Sequence, residues 1–476
     1  MATSTMSIGE LTTNYLTNPM GLDVIPRFSW TLFSSSTASQ SSYRLQISLK
    51  EDDFEKALMF DSGVVKSNKN FLNTPSNLTA LKASTDYFWR VEATSEDGNS
   101  SGFSKVSRFS TGLMDKWPED ATWITGGITN KLLRTTFSSS KSFEQAKLYI
   151  SGIGYHEVYL NGQKVGDHKL DSPWSDNNKR NYYVSHDITS LLVDGDNAIG
   201  VMLGNGWYSC GDPAKPSTQP GCISDPPQVI ATLIVDGDVS NPIVSTSASS
   251  WTVSSGPITY DSLYNGERYD ARLEQDGWST TTFDESSWTN AIDASNFSAS
   301  KNGKLVSAMF EPIRVISSRD YVTVNSPSPG MSVYDFGQNM AGILRIENLN
   351  CNRGDVITLR HSELLMHPPY GPRNGSIYVG NLRGAEATDT YTCKGDPNGE
   401  SYEPRFTQHG FRFAEVTTTS TTELSFDIKA LEMHTDVTQH SFQTHSNDLL
   451  NKIQNAVLWG QKSNLMGVRL FPCVLL

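Results

Sequence analysis

The sequence has no block of clustered Lys and Arg, and acidic residues outnumber basic ones by 51 to 38, giving a net charge of −13. Phosphate backbones are held by clustered cations, so a nucleic-acid partner is not expected. No apolar run approaches the roughly 20 residues of a membrane-spanning helix, so no membrane partner is expected either. The opening MATSTMSIGELTTNYLTNPMG lacks both a basic start and an apolar core, so no signal peptide is expected and a cytoplasmic location is favoured over a secreted one. Four N-x-S/T sequons, at Asn77, Asn99, Asn296 and Asn374, point faintly the other way.

Cysteine is scarce: five residues, widely scattered and without C-x-x-C, which excludes a zinc ribbon or a redox dithiol. Cys210 and Cys222 are placed to close one loop, and Cys351 and Cys393 to join neighbouring strands. Free thiols are the plainer reading, and both alternatives stand. The nine histidines include no H-x-H or H-E-x-x-H, so a catalytic zinc has no support. The absence of G-x-G-x-x-G and G-x-x-x-x-G-K removes a nucleotide cofactor, and the absence of G-x-S-x-G removes an ordinary esterase. No cofactor is required on this reading.

What is present is soluble, aromatic-rich β sequence: 10% aromatic and 19% charged residues, with 36 glycines. At 476 residues the chain exceeds one core, so about two to four domains are expected. Residues 1–115 alternate as a small β-sandwich, with Tyr87, Trp89 and Val91 on one face of TDYFWRVEATSEDG. Residues 116–302 form a second all-β unit, in which Asn161-Gly162 is a strong hairpin signal. Residues 303–437 form a third, with strands at ILRIENL (343–349), DVITLRHSELL (355–365) and FRFAEVTT (411–418). Residues 438–476 hold the first helical pattern. In 447–459 (NDLLNKIQNAVLW), Leu449, Leu450, Ile453, Ala456, Val457 and Leu458 share one face. Such a face needs a partner, so the chain reads as the front part of something larger, with self-association through this helix as a further expectation.

The words become specific at GIGYHEVYLNGQKVGDHKLDSPWSDNNKRNYYVSHDIT. It resembles the signature stretch of the bacterial-type α-L-rhamnosidases, glycoside hydrolase family 78. Further blocks follow in the same order: LGNGWYSCG (203–211), NGERYDARLEQDGW (265–278), YDFGQNMAGILRI (334–346), LRHSELL (359–365), NLRGAEATDTYTCKG (381–395) and FTQHGFRFAEV (406–416). NPMGLDVIPRFSW (18–30) matches the family's opening domain. The resemblance implies a mainly β chain: a fibronectin-like sandwich, a carbohydrate-binding-like jelly-roll and a concanavalin-like β-sandwich. The 447–459 helix then resembles the first helix of a catalytic (α/α)6 barrel. After SNLMGV (463–468), RLFPCVLL stands where the family continues with a Pro-x-Asp-Cys-Pro-Gln-Arg motif, which reads as a truncated or frame-shifted end.

Inverting glycosidases place two carboxyls roughly 6.5–9.5 Å apart across the scissile bond, one with a raised pKa. The resemblance assigns both to the barrel. The acid and base are therefore expected beyond Leu476, no catalytic residue is expected within the sequence, and the chain alone is expected to be inactive. Glu363 and Glu403 are the carboxylates a partial rescue would use, with a salt-bridged or solvated role the plainer reading. The expected ligands are rhamnose-containing glycosides or polysaccharides. Sugars are gripped by aromatic faces and planar polar groups; Asn161, Trp174, Asp176, Asn177, Tyr182, Trp207 and Glu267 are the candidates, with Asn205 and Tyr264 beside them. Some family members hold calcium here through Asp and Asn pairs. By that resemblance Asp167, Asp176 and Asn177 are candidate ligands, their oxygens being of the hard type calcium prefers. Gln338, Asn339 and His409 fall in the third unit, and His409 reads as a structural histidine.

Overall fold

The computed structural model describes residues 6–34, 39–73, 78, 81–211, 222–439 and 441–469. The Asn77 sequon lies outside the described residues. So does the tail 470–476, which includes Leu476, the residue beyond which the acid and base are expected. Strands make up 47% and helix 6%, the mainly β class the pattern implies.

In the first unit, the sheet of Met6–Thr13, Phe28–Ser34 and Phe71–Leu72 accompanies a second built on Gln40–Ser48 and Asp86–Ser95. Alternate residues of Asp86–Ser95 are buried without interruption, which places Tyr87, Trp89, Val91 and Ala93 in the core. There Phe28 meets Trp89 with ring centroids 4.8 Å apart, and Tyr87 stacks on Phe109 at 5.1 Å.

The second unit sets two antiparallel-dominated sheets face to face. One runs through Gln228–Val235, Ala146–Ile153 and Arg180–Asp187; the other runs through Tyr155–Leu160, Gly195–Gly204 and Leu132–Ser139. All eight residues of Ala146–Ile153 are buried, although a sheet with one wet face alternates. The first unit covers the outer face. Lys147 Nζ reaches Asp86 at 2.7 Å and Ser110 Oγ at 2.6 Å, and the Tyr149 hydroxyl reaches Ser84 at 2.8 Å. Asn161 (φ 52) and Gly162 (φ 83) turn the chain between Leu160 and Gln163, which pair directly. Two consecutive positive φ values are what a two-residue hairpin of this kind requires.

The third unit is a ten-stranded sheet centred on the 20-residue strand Met331–Asn350. This strand changes register between Asp335 and Met340: its first end lies between Thr323–Ser328 and His409–Thr418, while from Gly342 on it pairs with Ser425–Thr435. The sheet reaches beyond the 303–437 segment. The hairpin Ile258–Ser262 and Gly266–Asp270 lies within 116–302, yet Gly266–Asp270 pairs in parallel with Thr388–Thr392. Gly266 allows that approach: a Cβ there would lie 2.2 Å from the Thr388 carbonyl oxygen. Conversely, Lys304–Ser307 pairs with Arg180–Asp187 of the second unit.

Both cysteine pairs are disulfides. Cys210 joins Cys222 with Cα atoms 5.1 Å apart, and Cys351 joins Cys393 at 6.3 Å. Free thiols were the plainer sequence reading because spacing does not report distance; the sheet brings each pair within bonding range. The C-terminal helix is Asp448–Asn464, capped by the Asn447 side chain on the Leu449 N–H. Its apolar face is open, with Leu449, Leu450, Ile453 and Val457 exposed.

Second and third units are joined by Glu157, Arg405 and Lys164. Glu157 accepts from Arg405 at 2.8 Å and Lys164 at 2.5 Å, with its side chain 3% exposed. Burial alone pushes this carboxyl up, but Arg405, Lys164 and Lys169 together hold it well below the usual carboxylate range. A depressed carboxyl contributes stability above its ordinary pKa of 4.5 and loses that contribution as pH falls from there. Glu157→Gln is therefore expected to lower the unfolding free energy at pH 7 by about 3 kcal/mol, the lower end for breaking a buried pair because Arg405 is partly exposed. It is also expected to flatten the loss of stability below pH 4.5; guanidinium unfolding at several pH values checks both.

Candidate functional site

The segment after strand Gly195–Gly204 starts a short loop, NGWYSC (205–210). Gly206 takes φ 56, and a Cβ there would sit 3.1 Å from the Gly154 backbone, so the turn lies directly on that chain. The loop is tied from several sides. Asp261 Oδ1 accepts the Asn205 N–H at 2.6 Å, and the Asp261 carbonyl accepts the Asn205 amide at 2.9 Å. Asp261 is in turn ion-paired to buried Lys131. At the far end of the loop, Cys210 is bonded to Cys222, and Cys210 N–H donates to the Ile223 carbonyl at 2.8 Å.

This anchoring presents Trp207. Its ring centroid lies 6.4 Å from that of Trp174 and 5.8 Å from that of Tyr264, the latter edge-on. Trp174 is 46% exposed, an open aromatic face at the end of the row. Burial raises the Tyr155 hydroxyl behind it well above the usual phenol range, against a hydrogen bond with Trp207, so a neutral phenol backs the wall. Trp174 and Trp207 come from loops of the second unit, and Tyr264 comes from the turn of the hairpin in the third unit's sheet. A row of aromatic faces of this kind suits the C–H patches of a pyranose.

The other sequence candidates take separate places. Asp176 and Asn177 follow Trp174 in the same loop. Asp176 pairs with Lys179 at 2.9 Å, and Asn177 Nδ2 donates to Asn181 Oδ1 at 2.8 Å. Asp167 is clasped by Arg314 Nε at 3.0 Å to both oxygens, on a cleft of about 360 Å³ where all three units meet. Tyr182 packs edge-on against Phe310, which lines that cleft, with centroids 5.2 Å apart. Asn161 serves its turn: Nδ2 donates to Asn197 and to the Leu191 carbonyl, and Oδ1 accepts the Ala198 N–H. Glu267 is fully buried, accepting the Arg405 and Phe406 N–H groups and facing the Tyr402 hydroxyl. Burial pushes its carboxyl up to about 8. Glu403 bridges Lys169 and Arg345, and Glu363 accepts from the Asn339 and Asn381 amides at 2.9 and 3.0 Å. Gln338 Nε2 donates to the Asn339 carbonyl.

Three family models match. The α-L-rhamnosidase N-terminal domain covers residues 141–317, the bacterial α-L-rhamnosidase concanavalin-like domain covers 325–434, and the Rha78A-like N-terminal immunoglobulin domain covers 8–115. This chain belongs to the bacterial-type α-L-rhamnosidase family. An α-L-rhamnosidase of Formosa agariphila is 32% identical over 98% of this chain and 52% of its own length. One from Alteromonas sp. is 31% identical over 95% of this chain and 50% of its own. A solved α-L-rhamnosidase from Dictyoglumus thermophilum is 34% identical with a TM-score of 0.86, over 97% of this chain and 52% of that one. The chain thus spans about half the length of the curated relatives it matches.

Sequence reasoning singles out Trp174 and Trp207, whose rings lie side by side, but gives Asp261 no role. Its signal is faint, an acidic residue in a strand-like TYDSLYNGE, because its partners Asn205 and Lys131 are remote in sequence. Within this family fold, Asp261→Ala is expected to strand the buried Lys131 ammonium and cost about 3–5 kcal/mol. It is also expected to loosen the Trp207 loop, read as faster acrylamide quenching of tryptophan fluorescence relative to the parent chain under conditions where both remain folded.

Proposed function

We propose that this chain is the glycan-holding β portion of an α-L-rhamnosidase, and that by itself it binds rhamnose-containing glycans without cleaving them. The observation that carries the reading is the Trp174–Trp207–Tyr264 row, one open aromatic face followed by Trp207 on its anchored loop and Tyr264 on the hairpin turn. Release of terminal L-rhamnose with inversion is the reaction proposed for the whole enzyme. The two carboxyls it needs are assigned by the family resemblance to a helical barrel. Here Glu403 is a member of an ion-pair chain and Glu363 is held by two amides, roles that position sheet edges.

Calcium assistance is part of the proposal, through Asp176 and Asn177. Both offer hard oxygen donors. The Asn177 amide nitrogen is tied back to Asn181, which leaves its oxygen as the atom to present. Calcium would displace the exposed Lys179 ammonium from Asp176. Asp167, engaged by Arg314, does not enter this set. The two disulfides also favour an oxidising compartment over the cytosol.

Calorimetric titration of L-rhamnose and a rhamnosyl oligosaccharide, with calcium and with chelator, tests the reading. Binding is expected with calcium, weakened about two- to tenfold by Trp174→Ala, since one aromatic face contributes about 0.5–1.5 kcal/mol. Asp176→Ala is expected to erase the difference between calcium and chelator. No heat with either ligand sinks the binding reading, and turnover of a nitrophenyl rhamnoside above background sinks the claim of inactivity.

A further inference from the structure

Three groupings of His, Cys, Asp and Glu among the described residues have ligand atoms within 4.8 Å of one another. In one, Cys351 and Cys393 are consumed by their disulfide. In another, of His168, Asp171 and His186, the Arg314 guanidinium stands 3.5 Å from His168 Nε2, a cation where a metal would need an electron pair. The third is of another kind. His361, Asp389 and His409 lie on three strands, Val356–Ser362, Thr388–Thr392 and His409–Thr418, with the His361 strand in the middle. His361 and Asp389 are 0% exposed and His409 is 5% exposed.

The hydrogen bonds fix the ring orientations. His361 Nδ1 lies 3.0 Å from the Ala387 carbonyl, so it carries the proton and Nε2 presents a lone pair. That Nε2 has no hydrogen-bond partner and points at Asp389 Oδ2, 3.9 Å away. An unpartnered imidazole lone pair thus faces a carboxylate in a site closed to solvent, an arrangement that a bound cation relieves. The His409 ring stacks on that of His361 with centroids 4.0 Å apart, and its Nε2 lies 3.1 Å from the same oxygen. Two metal–ligand bonds of about 2.0–2.1 Å set their ligand atoms roughly 3.3 Å apart at a tetrahedral ion and at most about 4 Å apart. The 3.1 Å separation therefore fits as it stands, and the 3.9 Å one lies at the limit of reach. The outer contacts are those metal ligands ordinarily show: a backbone carbonyl on the far nitrogen of His361, and the Glu267 N–H on Asp389 Oδ1 at 2.8 Å.

We propose that His361 Nε2, His409 Nε2 and the Asp389 carboxylate bind a divalent transition-metal ion, zinc by their two-imidazole, one-carboxylate chemistry, as a structural clamp across the third unit's sheet. The set differs from the calcium ligands above in residues, donor type and place, and it stands whether or not the glycan-binding reading does. Enclosure means the ion enters during folding. Sequence inspection misses the site because its ligands follow no short spacing; sheet order alone joins them.

The test uses the whole chain. After expression with zinc and removal of loosely held metal, elemental analysis is expected to find one zinc per chain. X-ray absorption of that sample is expected to count two imidazoles in the first shell. Refolding from guanidinium with Co2+ should give visible d–d bands. His361→Asn keeps a donor for the Ala387 carbonyl but removes Nε2; it is expected to lose the metal and the bands. His186→Asn, in the Arg314-flanked group, is expected to keep both. A folded parent chain without metal, a first shell with fewer than two imidazoles, metal retained in His361→Asn or metal lost in His186→Asn each overturns the proposal. The first two readings need no variant, so they decide the matter even where His361→Asn fails to fold.

Discussion

The seam between the second and third units depends on Arg405. Its guanidinium donates to Glu157 of strand Tyr155–Leu160 at 2.8 Å, while its backbone N–H donates to Glu267 of the hairpin at 2.9 Å. The next residue, Phe406, sits on Gly204 so closely that a Cβ there would approach the ring within 2.3 Å. One short segment of the third unit thereby fixes both the end of strand Gly195–Gly204 and the hairpin. Those two elements lead into Trp207 and Tyr264. The aromatic row therefore straddles the seam, and its spacing follows from how the units dock.

The anchoring of the Trp207 loop bears on binding as well as on shape. A loop free to move must be ordered when a ligand arrives, at roughly 0.5–1.5 kcal/mol for each side chain immobilised. The Asp261 contacts and the Cys210–Cys222 bond order this loop beforehand. A small, water-soluble sugar offers little apolar surface, so its binding rests on such prior order more than that of a large apolar ligand. Tethering the Trp207 loop at both of its ends is consistent with that need.

Signals of short range were legible in the sequence. The alternation in Asp86–Ser95, the Asn161-Gly162 turn and the helix capped by Asn447 each express a period or a turn preference that the residues carry themselves. The family resemblance supplied the order of the β units. Pairings made by remote strands were not legible. Ala146–Ile153 is buried on both faces because the first unit covers it, which nothing in its own eight residues announces. The hairpin at Ile258–Asp270 reads as part of the second unit by position, yet its partner Thr388–Thr392 lies far along the chain. The site was legible to the same degree. Trp174 and Trp207 stand out as aromatics among turn formers, whereas Asp261, Lys131 and the three-strand histidine cluster acquire meaning only through the sheet.

Arg405 also shows why two glutamates of one seam differ in charge. Glu157 is buried, but it faces the guanidinium itself and the Lys164 ammonium, and these overcome the desolvation that would protonate it. Glu267 is equally buried and meets only the backbone of Arg405, with the carboxylates of Asp389 and Asp261 acting against ionisation. Desolvation prevails there, and the carboxyl is held neutral at pH 7. Were both ionised, a seam in a protein of net charge −13 would gather another buried anion without a cation to meet it. With one charged and one neutral, a single arginine satisfies the first through its side chain and the second through its amide, and the two units close on one segment.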